Sequence, residues 1–407
     1  MISKRFFAPA TAVVFITTLL ASSLLLADGF RNSPEGARAV GAIGGHRAFA
    51  DDANANIHNS ANLVDLEQPM IQFNTTFGYG RNEFQNGTAS DETKNPFFAI
   101  PGFSAAMPFK NGKYAAGLSF YIPYGRSVAW KSDDYFAQNN VSYAGSMSVA
   151  DFTPNFAMRL TDSLSFGVGA DFYYGQVEQK TIFTPPYSTI FGLPSGTESK
   201  LTADGNGIGW NAALTWKMTE KQRLTATYRS PFVIKYEGDN DLSTGGRSAV
   251  DAKIEYPTIV GLAYGIEFTD TLRAEINGEW LDFSQYETLK INDTDPRFAN
   301  TIQQRLKETW TAGIGAEWNF KPKWTLRSGF MYLENPTPEQ TYGPLGPDTD
   351  QGVVSIGLGY ETGHHAIDVG YAYGIFNGRN VSGSLNSPDG KYDYQVQLLT
   401  LSYGYKF

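Results

Sequence analysis

Trp310-Thr311-Ala312-Gly313-Ile314-Gly315-Ala316-Glu317-Trp318-Asn319-Phe320 alternates apolar with polar or small residues without a break. Successive side chains of a strand point to opposite faces, so this stretch has one face fit for hydrocarbon and one that is not. Lys321-Pro322 stops the run, and a second alternating run starts at Lys323. The same two faces recur elsewhere. In 150–160, Ala150, Phe152, Phe156, Met158 and Leu160 oppose Asp151, Thr153, Asn155 and Arg159. In 271–280, Leu272, Ala274, Ile276 and Trp280 oppose Arg273, Glu275, Asn277 and Glu279. A soluble sandwich would turn its apolar faces inward, whereas aromatic residues near both strand ends fit the two interfaces of a bilayer.

Extending this period along the chain yields fourteen candidate strands, at 70–80, 97–109, 113–124, 146–160, 164–179, 202–218, 222–237, 249–268, 271–284, 305–320, 323–334, 350–361, 364–376 and 392–407. Their connectors alternate. Lys110-Asn111-Gly112, Thr161-Asp162-Ser163, Thr219-Glu220-Lys221, Thr269-Asp270, Lys321-Pro322 and Thr362-Gly363 are short, while 81–96, 125–145, 180–201, 238–248, 285–304, 335–349 and 377–391 are long. Short turns on one side and long loops on the other are the asymmetry of an outer-membrane barrel. The expected fold is therefore an all-β transmembrane protein, a 14-stranded antiparallel outer-membrane β-barrel formed by 70–407.

The N-terminal region reads differently. Lys4 and Arg5 precede an apolar run to Leu26, with small residues near Ala27, which predicts a signal peptide over 1–27 and a bacterial outer-membrane location. After it, no apolar stretch is long enough for a transmembrane helix, so a membrane-embedded chain must cross as a closed sheet. Residues 28–69 lack period two and are rich in Gly, Ala and Asn, which predicts compact turns forming a plug or luminal hatch. With 23 Tyr, 28 Phe and 42 Gly but only 42% hydrophobic residues, the composition suits amphipathic strands better than a thick apolar core. The absence of Cys excludes disulfides and thiolate chemistry, and a net charge of -9 argues against a nucleic-acid partner.

At this point the chain resembles the FadL/TodX family of outer-membrane transporters for long-chain fatty acids and other hydrophobic compounds. The resemblance rests on Asp28-Gly29-Phe30 with the segment to Ala50-Asp51-Asp52, and on His58-Asn59-Ser60-Ala61-Asn62-Leu63. It rests also on Tyr121-Ile122-Pro123-Tyr124-Gly125, on Tyr256-Pro257-Thr258-Ile259-Val260-Gly261-Leu262-Ala263-Tyr264, and on Leu326-Arg327-Ser328-Gly329-Phe330 with Asn335-Pro336-Thr337-Pro338. Ser60 stands where the family's Asn-Pro-Ala motif has proline. The resemblance implies a lumen filled by the hatch, an inner binding pocket, a lateral window beside the third strand, and release of substrate sideways into the membrane.

Candidate residues follow. Ile182, Phe183, Tyr187, Ile190, Phe191 and Leu193 form a greasy stretch within 180–201, suited to catching an alkyl or aromatic group. By resemblance, Phe30 lines the inner pocket, and Asn59, Ser60 and Ala61 hold or gate the hatch. Inward charges at Asp151, Arg159, Asp171, Arg223, Arg229, Glu267, Arg273, Glu275, Glu279, Glu317 and Arg327 fix the hatch or meet a carboxylate head group, and the sequence selects no one Arg for the latter. His46, His58, His364 and His365 have no zinc spacing, so neither catalysis, a metal nor a cofactor is expected. The expected partners are fatty acids or aromatic hydrocarbons, outer-membrane lipids, lipopolysaccharide and the outer-membrane assembly machinery, around a monomer. An aqueous porin or a structural barrel would have the same strand period, so both stay open.

Overall fold

The computed structural model describes residues 29–87 and 89–407, and the expected signal peptide lies outside the described residues. Among the latter, no helix is long and apolar enough to cross a membrane. The wall is made of strands: β1 (Met70–Asn86), β2 (Phe97–Phe109), β3 (Tyr114–Ala129), β4 (Ala144–Arg159), β5 (Leu164–Phe183), β6 (Thr197–Lys217), β7 (Gln222–Arg229 and Phe232–Leu242), β8 (Arg247–Tyr256 and Thr258–Thr269), β9 (Leu272–Asp282), β10 (Glu308–Lys321), β11 (Trp324–Leu333), β12 (Gln351–Thr362), β13 (His365–Phe376) and β14 (Gly390–Lys406). Neighbours are antiparallel, and β14 closes onto β1 from Met70↔Lys406 to Gln85↔Lys391. This is the closed fourteen-strand barrel that the alternation required.

Side-chain exposure follows the two faces. On β10, Trp310 (62%), Ile314 (51%) and Trp318 (49%) are exposed on the outside, whereas Thr311 (2%) and Glu317 (5%) are buried inside. Leu399, Leu401, Tyr403 and Phe407 likewise face outward. Prolines mark the irregularities: Ser230-Pro231 interrupts β7 and Pro257 interrupts β8, since proline has no N–H to give the ladder.

Several strands run further toward the long loops than periodicity indicated. β5 and β6 have 20 and 21 residues and stay paired up to Phe183↔Thr197, although about 9–11 residues cross the hydrocarbon. The loop read as 180–201 is thus 184–196, carrying a short helix at Tyr187–Ile190, and Ile182 and Phe183 belong to a strand. Outside the bilayer neither face needs lipid, so apolar alternation fades while the hydrogen-bonded ladder continues.

The segment from Gly29 to Leu66 lies inside the barrel. It holds helix α1 (Ala37–Gly41), helix α2 (Ala55–His58) and a 3-10 turn at Ser60–Asp65. Inward glycines let its backbone touch the wall. A Cβ on Gly313 would lie 2.5 Å from the Cα of Gly44, one on Gly315 2.8 Å from the Cα of Gly45, and one on Gly357 2.8 Å from the Cα of Gly41. Polar groups then lock it: Ala37 N donates to Ser402 Oγ (2.8 Å) and Ile43 N to Ser355 Oγ (3.1 Å). The inward charges mostly find partners here. Glu275 accepts from the backbone N–H groups of Arg47, Ala48 and Phe49; Arg159 pairs with Asp65 at 2.9 Å and Arg223 with the same carboxylate at 3.8 Å. Arg273 bridges Asp51 (2.6 Å) and Glu317 (2.8 Å), and Arg327 bridges Glu317 and Asp368 at 2.7 Å each. Arg229 holds Asp151 (2.9 Å) and Asp171 (3.0 Å) within the wall itself. Among the described residues Glu267 makes no ion pair.

Candidate binding cavity and lateral gap

The third strand carries a fault that matters. β2 and β3 pair only from Phe109↔Tyr114 to Phe103↔Phe120; beyond that point their ladder stops. On the other edge of β3 the register against β4 slips between Tyr121 and Tyr124, where Pro123 cannot donate. The edge of β3 that β2 leaves free is taken by the N-terminal segment. Asn32 N donates to Pro123 O (2.8 Å) and Gly125 N to Phe30 O (2.9 Å), while Asn32 Nδ2 donates to Ile122 O (2.8 Å). Phe30–Asn32 therefore behaves as a strand added inside the gap.

Immediately above this seat is a cavity of about 260 Å³, toward the long loops. Phe30 forms part of its lining and is itself only 2% exposed, its ring meeting Tyr124, Tyr256, Phe283 and Tyr286 at centroid separations of 5.9, 5.4, 5.3 and 6.2 Å. Met147, Ile254, Leu289 and Leu306 add aliphatic surface from three parts of the chain. Such a lining gains from removing hydrocarbon from water, about 0.8 kcal/mol per methylene, without any chemistry.

A second, more polar cavity of about 130 Å³ lies on the other side of the seat, among Arg31, Glu35, His58, Asn59, Tyr121 and Glu279. Arg31 pairs with Glu279 at 2.7 Å, and Arg47 with the other oxygen of the same carboxylate. Burial pushes the Glu35 carboxyl up to about 7, while a hydrogen bond with Asn74 works in the opposite direction. Among the described residues, no group of three or more His, Asp or Glu is placed to hold a metal ion.

Asn59, Ser60 and Ala61 tie the segment to the wall. Asn59 Nδ2 donates to Arg47 O (3.0 Å) and Thr215 Oγ1 (2.9 Å), and its Oδ1 accepts from Ala61 N (3.2 Å). Ser60 and Ala61 press on β5, where a Cβ on Gly167 would lie 2.5 Å from Ala61 N. Ser60 opens the 3-10 turn, a position at which proline would also be accommodated. Asn59→Ala leaves the Arg47 carbonyl and the Thr215 hydroxyl without this donor, a loss of about 1–3 kcal/mol. Faster amide hydrogen exchange across 59–65 with unchanged exchange in the strands is the expected readout; equal exchange in both regions would contradict it.

The apolar loop stands apart from the cavity. Phe183 meets Phe191 and Phe298 at 5.3 and 5.8 Å, Tyr187 meets Phe191 at 6.0 Å, and Arg297 Nη1 donates to Phe191 O (2.7 Å). Tyr187 (48%) and Ile190 (69%) are exposed, Leu193 is half-buried, and Ile182 packs on an interior cluster around Trp130 and Tyr342. None of the six lines the cavity. The lining that sequence reasoning missed comes from Arg126 and from segments read as plain loops, notably Tyr286, Leu289, Ile291, Ile302 and Leu345. The one legible hint was the alternation Leu289-Lys290-Ile291, which forms a strand at Thr288–Asp293 paired to β8.

A closed lipid-facing barrel with an occupied lumen and a sealed lateral gap defines an outer-membrane transport barrel. The family described as outer membrane protein transport protein (OMPP1/FadL/TodX) matches residues 18–407. The chain belongs to this family. It is similar to the long-chain fatty acid transport protein of Escherichia coli, 24% identical over 417 residues covering 89% of this chain and 90% of that one. It is equally similar to outer membrane protein P1 of Haemophilus influenzae, 24% identical with 88% and 90% covered. Among solved structures it superposes on a Pseudomonas aeruginosa FadL homologue with TM-score 0.84 at 18% identity, covering 93% of this chain and 100% of that one. The Ralstonia pickettii toluene transporter TbuX aligns with TM-score 0.74 at 17% identity, covering 92% and 99%. The protein is an outer-membrane protein, as the family's description and the name of the Haemophilus influenzae relative state.

Proposed function

We propose that the protein takes up hydrophobic small molecules passively, long-chain fatty acids or aromatic hydrocarbons, with residues 28–69 as the hatch and lateral exit through the gap beside β3. The observation that carries this reading is a shared residue: Phe30 lines the apolar cavity and, through its carbonyl, also occupies the free edge of β3. A ligand that displaces Phe30 thereby disturbs the seal. Relatives named as fatty acid and toluene transporters support both substrate classes. The exposed Tyr187 and Ile190, with Phe183, Phe191, Leu193 and Ile182 behind them, act as a first landing surface upstream of the cavity. The transporter works as a monomer, without enzymatic activity, metal or cofactor, amid outer-membrane lipids and lipopolysaccharide, after assembly by the outer-membrane assembly machinery. An aqueous porin is the weaker reading, because residues 29–66 fill the lumen.

The test is uptake of matched fatty acids, aromatic hydrocarbons and small sugars by liposomes containing the protein. Hydrocarbon or fatty-acid flux without sugar flux is expected. Phe30→Ala removes a side chain whose burial is worth about 3–5 kcal/mol, so it should reduce hydrophobic flux strongly, whereas polar substitution of Phe183 and Leu193 should slow capture more modestly. Equal sugar flux with no protein-dependent hydrophobic flux would favour the porin.

A further inference from the structure

The outer face of the wall carries a band of charge on β6, β7 and β8, on the side of the long loops. Lys235 on β7 lies directly opposite Lys253 on β8, and both side chains are exposed. Lys290 follows on the strand Thr288–Asp293, one step past the last pair of its ladder with β8, Ala252↔Ile291, and is exposed as well. Three cations thus stand in one row across neighbouring strands. Asn206 on β6 continues the row beside Lys235, and Thr301 ends it opposite Lys290. Like charges directly opposite one another destabilise a strand pair. Lys253 reaches Glu255 at 2.6 Å, whereas among the described residues Lys235 and Lys290 form no ion pair. The row therefore holds unspent positive charge.

The rows on either side decide what can sit there. On β6 the outward residues Trp216, Leu214, Trp210 and Ile208 span about the 9–11 residues that a tilted strand needs to cross hydrocarbon. Asn206, and with it the lysine row, then stands at the outer boundary of the membrane. Nearer the bilayer centre the surface is apolar, with Ile208 and Val233 exposed and the rings of Trp210 and Tyr228 paired at 4.7 Å. Farther out the sign reverses. Asp204, Glu237 and Asp251 stand opposite one another in turn, all exposed, about 7 Å along the strands from the lysines. Among the described residues none of the three forms an ion pair, although Asp251 accepts from Asn292 Nδ2 at 2.7 Å. A soluble polyanion approaching from outside meets these carboxylates first and is repelled. An anion anchored in the membrane, its acyl chains against Ile208 and Val233, meets the lysines alone. Neighbouring strands are about 4.8 Å apart, so the row is about 10 Å wide, enough for a head group with more than one phosphate. Lysine suits phosphate as a compact charge on a flexible stem.

We propose that Lys235, Lys253 and Lys290 form a docking site on the outer wall for the phosphorylated head of lipopolysaccharide, the glycolipid of the outer leaflet. The site is separate from the luminal cavity and rests on the barrel's place in the outer membrane, not on what the barrel transports. It still touches the cavity from behind. Lys290 alternates with Leu289 and Ile291, which line that cavity, so a head group held outside braces the same strand.

The experiment is native mass spectrometry of the full chain in detergent micelles, titrated with lipid A carrying two phosphates, with its one-phosphate form and with phosphatidylethanolamine. Wild type should retain the two-phosphate form about 10–100-fold more tightly than phosphatidylethanolamine, with the one-phosphate form between them. Lys235→Gln/Lys253→Gln/Lys290→Gln should lose this preference. Lys110→Gln/Lys113→Gln, at a short turn on the opposite membrane face, should keep it. All these positions lie on the surface, and heat-modifiable gel mobility verifies the barrel in each variant. Asp204→Lys/Glu237→Lys should in addition capture soluble polyphosphate, which wild type should not. No preference in wild type, or an unchanged preference in the triple glutamine variant, would overturn the site. Capture of polyphosphate by wild type as tightly as of the glycolipid would overturn the membrane-anchored ligand. Hydrophobic uptake is measured separately, so either failure leaves the transport reading standing.

Discussion

Deletion of residues 29–62 is expected to turn a closed transporter into an open pore while the wall survives. The strand ladder from β1 round to β14 is continuous without any help from this segment except at the gap beside β3. What the deletion removes is luminal matter: Ala37, Val40, Ile43, Ala48, Phe49 and Ala53 are essentially inaccessible to solvent, and all lie between inward-facing wall residues. It also uncovers charged groups that prefer water, among them Glu275, Glu279 and Asp368, so the vacated lumen fills with water and does not collapse. Planar-bilayer recordings should show a stable conductance absent from wild type, sugar flux into liposomes should rise by an order of magnitude, and selective hydrophobic uptake should vanish. Gel mobility should still report a folded barrel. Unchanged selective uptake by a correctly inserted deletion would show that this segment does not gate the lumen.

A single substitution should reach nearly the same state. Gly315→Val places a β-branched side chain where a Cβ alone would be 2.7 Å from Ala42 O and 2.8 Å from the Cα of Gly45. Both obstacles are backbone, which cannot swing aside as a side chain does, so the segment between α1 and Phe49 must lift off β10. Overpacking of this kind costs about 1–3 kcal/mol or more, comparable to the hydrogen bonds that hold the segment down. Valine suits a strand, so the wall itself should assemble. Gly278→Val on the neighbouring strand is the control: a Cβ there meets only Thr311 O at 3.4 Å. Sugar leak from Gly315→Val with none from Gly278→Val is expected. Equal tightness of both would mean that the hatch does not depend on the glycine bed.

The wall was legible because lipid enforces a rule at every second residue. Trp310, Ile314 and Trp318 had to face one way and Thr311 and Glu317 the other, and no interior packing could override this. Where lipid ends the rule lapses, so the outer ends of β5 and β6, with Ile182 and Phe183 among them, carry no strand period in the sequence. The partners of the inward charges were not legible, since Arg38 reaches Asp368 across 330 residues of sequence at 3.1 Å. The cavity was hardest of all. Beyond Phe30, Tyr286 and Leu306 reach it from the long segment between β9 and β10 and Leu345 from that between β11 and β12, along paths that no local pattern encodes. Arg126 stands in the stretch 125–145, which has no strand period in the sequence, so nothing local directs its side chain toward the cavity.

The seat of Phe30–Asn32 on β3 also bears on how transport resets. When the segment withdraws, Pro123 O, Ile122 O and Gly125 N lose their partners. If that edge then faces hydrocarbon, each unsatisfied backbone group costs several kcal/mol. On the proposed route, the opened exit would accordingly be a high-energy, short-lived arrangement whose own backbone pulls the chain back once the cargo has left. A channel working by that route would recoil without phosphate hydrolysis or an ion gradient, its open time set by how quickly the departing molecule clears the doorway.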